Sequence, residues 1–152
     1  MLFKMMKRLK KEEKGFTLIE LLAVIVILAV IAAIAVPYIL GVINKSKDDA
    51  DVATARQLYD AAKLYVTAEK NGNFNNVTVT LTQLKDGKYI DNDIMLPSAK
   101  VQLSNASIVF AADDTGKLTS VTIETTAVSK TYSGDNVLKS SAVGAVVSPK
   151  ST

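Results

Sequence analysis

One carboxylate stands where carboxylates are rare: Glu20 follows Phe16-Thr17-Leu18-Ile19 at the head of a long apolar run. Two chemistries fit it. Thr17 and Glu20 are three residues apart, the spacing of a capping box at the start of a helix, where an acid also suits the positive helix end. Phe16 and Glu20 are four apart and share one helix face. A cut between the small Gly15 and Phe16 would leave a new amine about one turn from that carboxylate. In helices staggered by one subunit, the amine of one could then pair with the acid of its neighbour, satisfying both charges inside an apolar core. Both readings stand on these residues alone.

Other reactive groups are scarce. The 152 residues contain no cysteine and no histidine. That excludes disulfides, thiolate nucleophiles, imidazole bases and most transition-metal sites. No nucleophile–base pair of the usual kinds can be assembled and no phosphate loop is present, so the expectation is a protein that is not an enzyme, with no catalytic residue, metal or cofactor. Aromatic residues make up 6% and tryptophan is absent, which argues against a stacking platform for nucleic acid.

The length suits one domain or a domain with an appendage. The net charge of +3 is unevenly placed. Residues 1–14 carry a balance of +4 and the remainder −1, so the basic character belongs to a short arm. After it, residues 16–43 are almost wholly apolar, with an unbroken apolar run of 16 over residues 21–36. As a helix this stretch would extend about 42 Å, against roughly 30 Å of bilayer hydrocarbon. A helix apolar all round needs a membrane or a core shared with other molecules. The basic arm keeps the N-terminus cytoplasmic and places residues 44–152 outside. The apolar stretch is too long for an ordinary secretory signal, and Val36-Pro37-Tyr38 offers no small-residue cleavage site. By hydropathy alone, an uncleaved signal anchor bearing an outside domain fits as well.

The junction KGFTLIELLAVIVILAVIAAIAVP resembles the class III signal and N-terminal helix of type IV pilins and the related pseudopilins and competence pilins. The resemblance covers roughly the first 50 residues and rests on the basic arm, the Gly-Phe junction and the spacing of the Glu and the Pro. It implies a leader, residues 1–15, removed between Gly15 and Phe16 by a prepilin peptidase that also methylates Phe16. It implies that Phe16 and Glu20 direct subunit assembly. Residues 16–43 would be the transmembrane and filament-core helix, with Leu21, Leu22, Ile25, Leu28 and Ile31 in the packed run and Pro37 as its interruption. Many relatives carry glycine where this chain has Ala29, a better helix former by roughly 0.8–1 kcal/mol. Any loss of helicity in a filament is then confined near Pro37, or Pro37 is a simple kink.

Residues 44–152 read as the outer head. Val52, Ala55, Leu58, Tyr59, Ala62, Tyr65 and Val66 recur at three- and four-residue steps, predicting that the helix continues with one face covered. Asn71-Gly72-Asn73 predicts its end. Thr82 is expected to cap a short helical turn closed at Gly87, with Leu84, Tyr89 and Ile90 packing back onto the long helix. Ile108, Phe110, Leu118, Val121 and Ile123 belong to two strands around a turn at residues 113–116. A third strand follows Thr126, and Gly134 turns into a short segment. Residues 141–152 read as a flexible tail laid on the surface or disordered. The fold class is α+β: a long N-terminal helix, apolar then amphipathic, packed against a small antiparallel sheet, as in pilins.

Asp91-Asn92-Asp93 and Asp113-Asp114 lack an EF-type continuation and read as turn residues. Asn76-Val77-Thr78 and Asn105-Ala106-Ser107 fit a glycosylation triplet and receive no function. Residues 45–51, rich in Lys and Asp, read as a solvated surface near lipid headgroups or a subunit contact.

The resemblance implies a major or abundant subunit of an extracellular type IV pilus, serving adhesion, surface motility or biofilm formation. Its implied partners are copies of itself in a helical filament, the prepilin peptidase, an assembly platform with a cytoplasmic ATPase, minor pilins, and membrane lipid before assembly. The lack of cysteine favours a Gram-positive source, because many Gram-negative relatives close their C-terminal region with a disulfide. A pseudopilin of a type II secretion system, or a DNA-uptake competence pilin, would share this N-terminus.

Overall fold

The computed structural model describes residues 17–113, 115–139 and 144–149. It divides into two units, Met1–Val42 and Ile43–Thr152. Helix α1, Leu18–Glu69, belongs to both and runs unbroken through Ala29 and Pro37. In the first unit its described residues are exposed except the half-buried Ala35. Leu21, Leu22, Ile25, Leu28 and Ile31 are each more than half exposed among the described residues.

The second unit builds the core. Short elements follow α1 in order: β1 (Thr78–Thr80), α2 (Leu81–Asp86), β2 (Met95–Leu96), β3 (Val101–Gln102), β4 (Asn105–Phe110), β5 (Leu118–Glu124), β6 (Val128–Ser133), α3 (Gly134–Leu138) and β7 (Val146–Pro149). Five strands form one sheet in the order β1-β4-β5-β6-β7, every pairing antiparallel, while β2 and β3 make a separate small ribbon. The architecture is α+β, as the residue pattern predicts, and pilin-like, as the resemblance implies.

The predicted stripe on α1 is the buried one: Val52, Ala55, Leu58, Tyr59, Ala62 and Val66 join a single core with the sheet, and Tyr65 is packed against it. On β4, Ala106, Ile108 and Phe110 alternate inward, as a period of two requires. On β5 the inward residues are Leu118, Val121 and Ile123, three then two apart. A register shift accounts for the odd step. Val109 pairs with Ser120 but Phe110 with Leu118, so Thr119 is the extra residue of a bulge and both Leu118 and Val121 face the core. Tyr59 and Phe74 both pack on Phe110, with ring centroids 6.1 and 5.1 Å away.

Helix α1 ends where Asn71 and Gly72 take positive φ, and the Gly72 N–H donates to the Val66 carbonyl at 3.1 Å. The cap of helix α2 lies two residues before the predicted one. Thr80 is the cap: its hydroxyl accepts the Gln83 N–H, and the Gln83 side chain accepts the Thr80 N–H at 2.9 Å. Thr82 is followed three residues later by Lys85, which has no acceptor to close the box. Gly87 does end the helix, with an ordinary right-handed φ of −77°. Its glycine is required by crowding instead, since a Cβ there would lie 2.6 Å from the Tyr89 ring. Tyr89 meets Tyr65 edge-on at 5.7 Å, which docks this segment on α1 as predicted.

Within the described part of the expected tail, Val146–Pro149 pairs with β6 as an edge strand and all four residues are exposed. That exposure is why no alternation marked it in the sequence.

Candidate functional site

At the start of α1, the two residues with chemical promise meet. Glu20 Oε2 accepts the Thr17 N–H at 2.9 Å and the Thr17 hydroxyl at 2.8 Å. In return the Glu20 N–H donates to Thr17 Oγ1 at 3.2 Å. This is a reciprocal capping box, and it satisfies donors that the first helical turn would leave open. Gly15 and Phe16 lie outside the described residues. Thr17, the next residue along, is already bonded to the carboxylate, so the box holds the acid at the very start of the helix. In the free chain Glu20 is therefore not bare, contrary to the simplest picture of an unpartnered charge in lipid.

From this box the apolar run extends through Pro37 to Ile43. Its length and composition are sufficient to cross a membrane. The side chains at Leu21, Leu22, Ile25, Leu28 and Ile31 cover one half of the helix, and Val26, Ile27 and Val30 present exposed apolar surface on the other. Such a surface requires lipid or like helices around it.

Residues 10–36 match the family model described as the prokaryotic N-terminal methylation motif. The matched segment holds the end of the basic arm, the Gly-Phe junction, Glu20 and the apolar run. The chain is type IV pilin-like. No curated protein and no solved structure matches it. The motif implies processing by a prepilin peptidase and engagement with pilus-type assembly machinery in general terms. A class III signal followed by a long apolar helix fits a precursor anchored in the membrane and later carried outside.

The pilin-like head contains a second polar constellation around Asp51, a residue expected on a solvated surface or at a subunit contact. Asp51 is fully buried. Its Oδ1 accepts the Ser98 N–H at 2.9 Å, and its Oδ2 meets Lys130 Nζ at 2.5 Å. Lys130 also lies 3.7 Å from Asp48 and donates to Ser98 Oγ at 3.3 Å. Only the pairing across 79 residues reveals the partner, but the position of Asp51 was legible: residues 51, 55, 58 and 62 are spaced four, three and four, on the core stripe. Tyr132 is buried beside this cluster, and burial, then the charges of Asp51 and Asp48, push its phenol above the usual range.

Of the remaining acidic motifs, Asp113 serves its turn, its Oδ1 accepting from the N–H and hydroxyl of Thr115. Asp93 instead accepts from the Gln102 side chain on β3. Asp114 lies outside the described residues. Among those described, no three acidic side chains gather as a metal-holding group.

Proposed function

We propose that this chain is a building subunit of an extracellular type IV pilus, major or abundant in the fibre. The observation that carries the reading is the methylation motif on a helix whose apolar half is uncovered all round. Cleavage falls between Gly15 and Phe16, and the new amine of Phe16 is methylated. Residues 16–43 then exchange bilayer for a bundle of neighbouring copies, so that their burial from water is retained throughout.

Within that bundle, the Phe16 amine of one subunit pairs with Glu20 of the next. Because the Thr17 box already holds the carboxylate, docking adds a charge partner to an oriented acid. The proposed gain is therefore one of register, with the charge pair stabilised by the low dielectric of the apolar surroundings. Force for extraction comes from a cytoplasmic ATPase acting through an assembly platform. The head forms the exterior and makes whatever contacts adhesion, surface motility or biofilm growth require.

Immunogold labelling of intact cells with antibody to the head tests the reading. Label along filaments that vanish on gene deletion is expected. Label confined to the envelope, with protein export or DNA uptake lost on deletion and no filaments, would replace the pilus by a pseudopilin or competence pilin.

A further inference from the structure

The Asp51 cluster contains the parts of an amide-forming site. Asp51 and Asp48 lie three residues apart on one face of α1, and Lys130 reaches them from β6. Asp51 has no exposed surface and the Lys130 side chain retains 11%. Tyr132, two residues along β6 from Lys130, is also buried. The Ser98 N–H is fixed on one oxygen of the Asp51 carboxyl while Lys130 lies against the other.

We propose that Lys130 and Asp51 condense into an intramolecular isopeptide bond joining α1 to β6. Two opposite charges withdrawn from water are costly, and a proton passing from the ammonium to the carboxylate leaves a neutral amine and a neutral acid. That pair is a nucleophile and an electrophile. The Nζ lone pair attacks Asp51 Cγ, forming the N–C bond, and negative charge gathers on Oδ1, where the Ser98 N–H receives it. Asp48 takes the surplus proton from Nζ and returns it to the Oδ2 hydroxyl. The C–Oδ2 bond breaks, one water leaves, and Oδ1 closes to the amide carbonyl. Nothing is oxidised or reduced, and Asp48 is restored. The product replaces two buried charges by a neutral amide and supplies the covalent tie that a chain without cysteine lacks. It forms on folding and does not depend on polymerisation.

Intact-mass and tryptic peptide spectra of the full-length chain, purified in detergent and denatured, test the bond. The wild type is expected to weigh one water less than its sequence with the N-terminal state seen in the same spectrum. A branched peptide should join the segments holding Asp51 and Lys130, with no cleavage after Lys130. Lys130→Met should show no such loss, and Asp48→Asn should leave most molecules uncondensed. A wild-type chain at its full sequence mass, with separate Asp51 and Lys130 peptides, would overturn the proposal and leave an ion pair. Full condensation in Asp48→Asn would overturn the proton-carrying role of Asp48.

Discussion

Glu20 and Thr17 exchange three hydrogen bonds, and this separates two roles that one substitution would confound. Glu20→Gln keeps an acceptor for the Thr17 donors and removes the charge. Thr17→Ala removes the hydroxyl and keeps the charge. If the carboxylate sets register through the neighbouring amine, the Gln variant is processed normally yet yields far fewer sheared filaments. The Thr17 variant stays within a few-fold of wild type. Equal loss in both would assign the effect to the cap.

Tyr132 makes a second residue-scale prediction. Its phenol titrates higher in the folded chain than in the unfolded one, through burial first and then the nearby carboxylates. The folded state thus holds this proton more tightly. Its contribution is fully present below the ordinary tyrosine pKa of about 10 and is lost as pH rises above that value. Denaturant midpoints should fall above about pH 10, and Tyr132→Phe should flatten that fall.

At the scale of elements, the turn from β6 into α3 has no spare room. A Cβ on Gly134 would lie 1.9 Å from the Leu118 carbonyl oxygen, a backbone atom that cannot yield without moving β5. Gly134→Ala should therefore destabilise the head by about 1–3 kcal/mol or more, read as a lower urea midpoint at unchanged slope. An unchanged midpoint would mean that the turn relaxes freely.

The elements that sequence revealed are those with periodicity or specific turn chemistry. The α1 stripe, the β4–β5 hairpin and the strand after Thr126 declared themselves by the placement of Val, Ile, Leu and Tyr. Ribbon β2–β3 has two residues per strand and β7 has both faces exposed, so neither carries a pattern. The Thr80 cap was available in the Thr-x-x-Gln spacing, which Thr82 obscured. The Thr17–Glu20 box was legible as one of two readings, whereas the Asp51–Lys130 pair depends on strand placement 79 residues away.

At the scale of the whole molecule, chemistry and packing are unevenly shared. Residues 43–152 contain the sheet and the core, while the apolar half of α1 has none of its large side chains buried. Apolar burial at about 25 cal/mol per Å² makes such a surface untenable in water, and lipid and like helices are its two fitting surroundings. The methylation motif on the same segment fits the proposed sequence of surroundings, a precursor anchored in the bilayer and then a subunit packed among copies. N-terminal sequencing with intact-mass measurement of protein sheared from the cell surface tests this most directly. The account predicts filaments whose subunits begin at methylated Phe16; chains retaining Met1 and found only in membranes would contradict it and leave a signal-anchored outer domain.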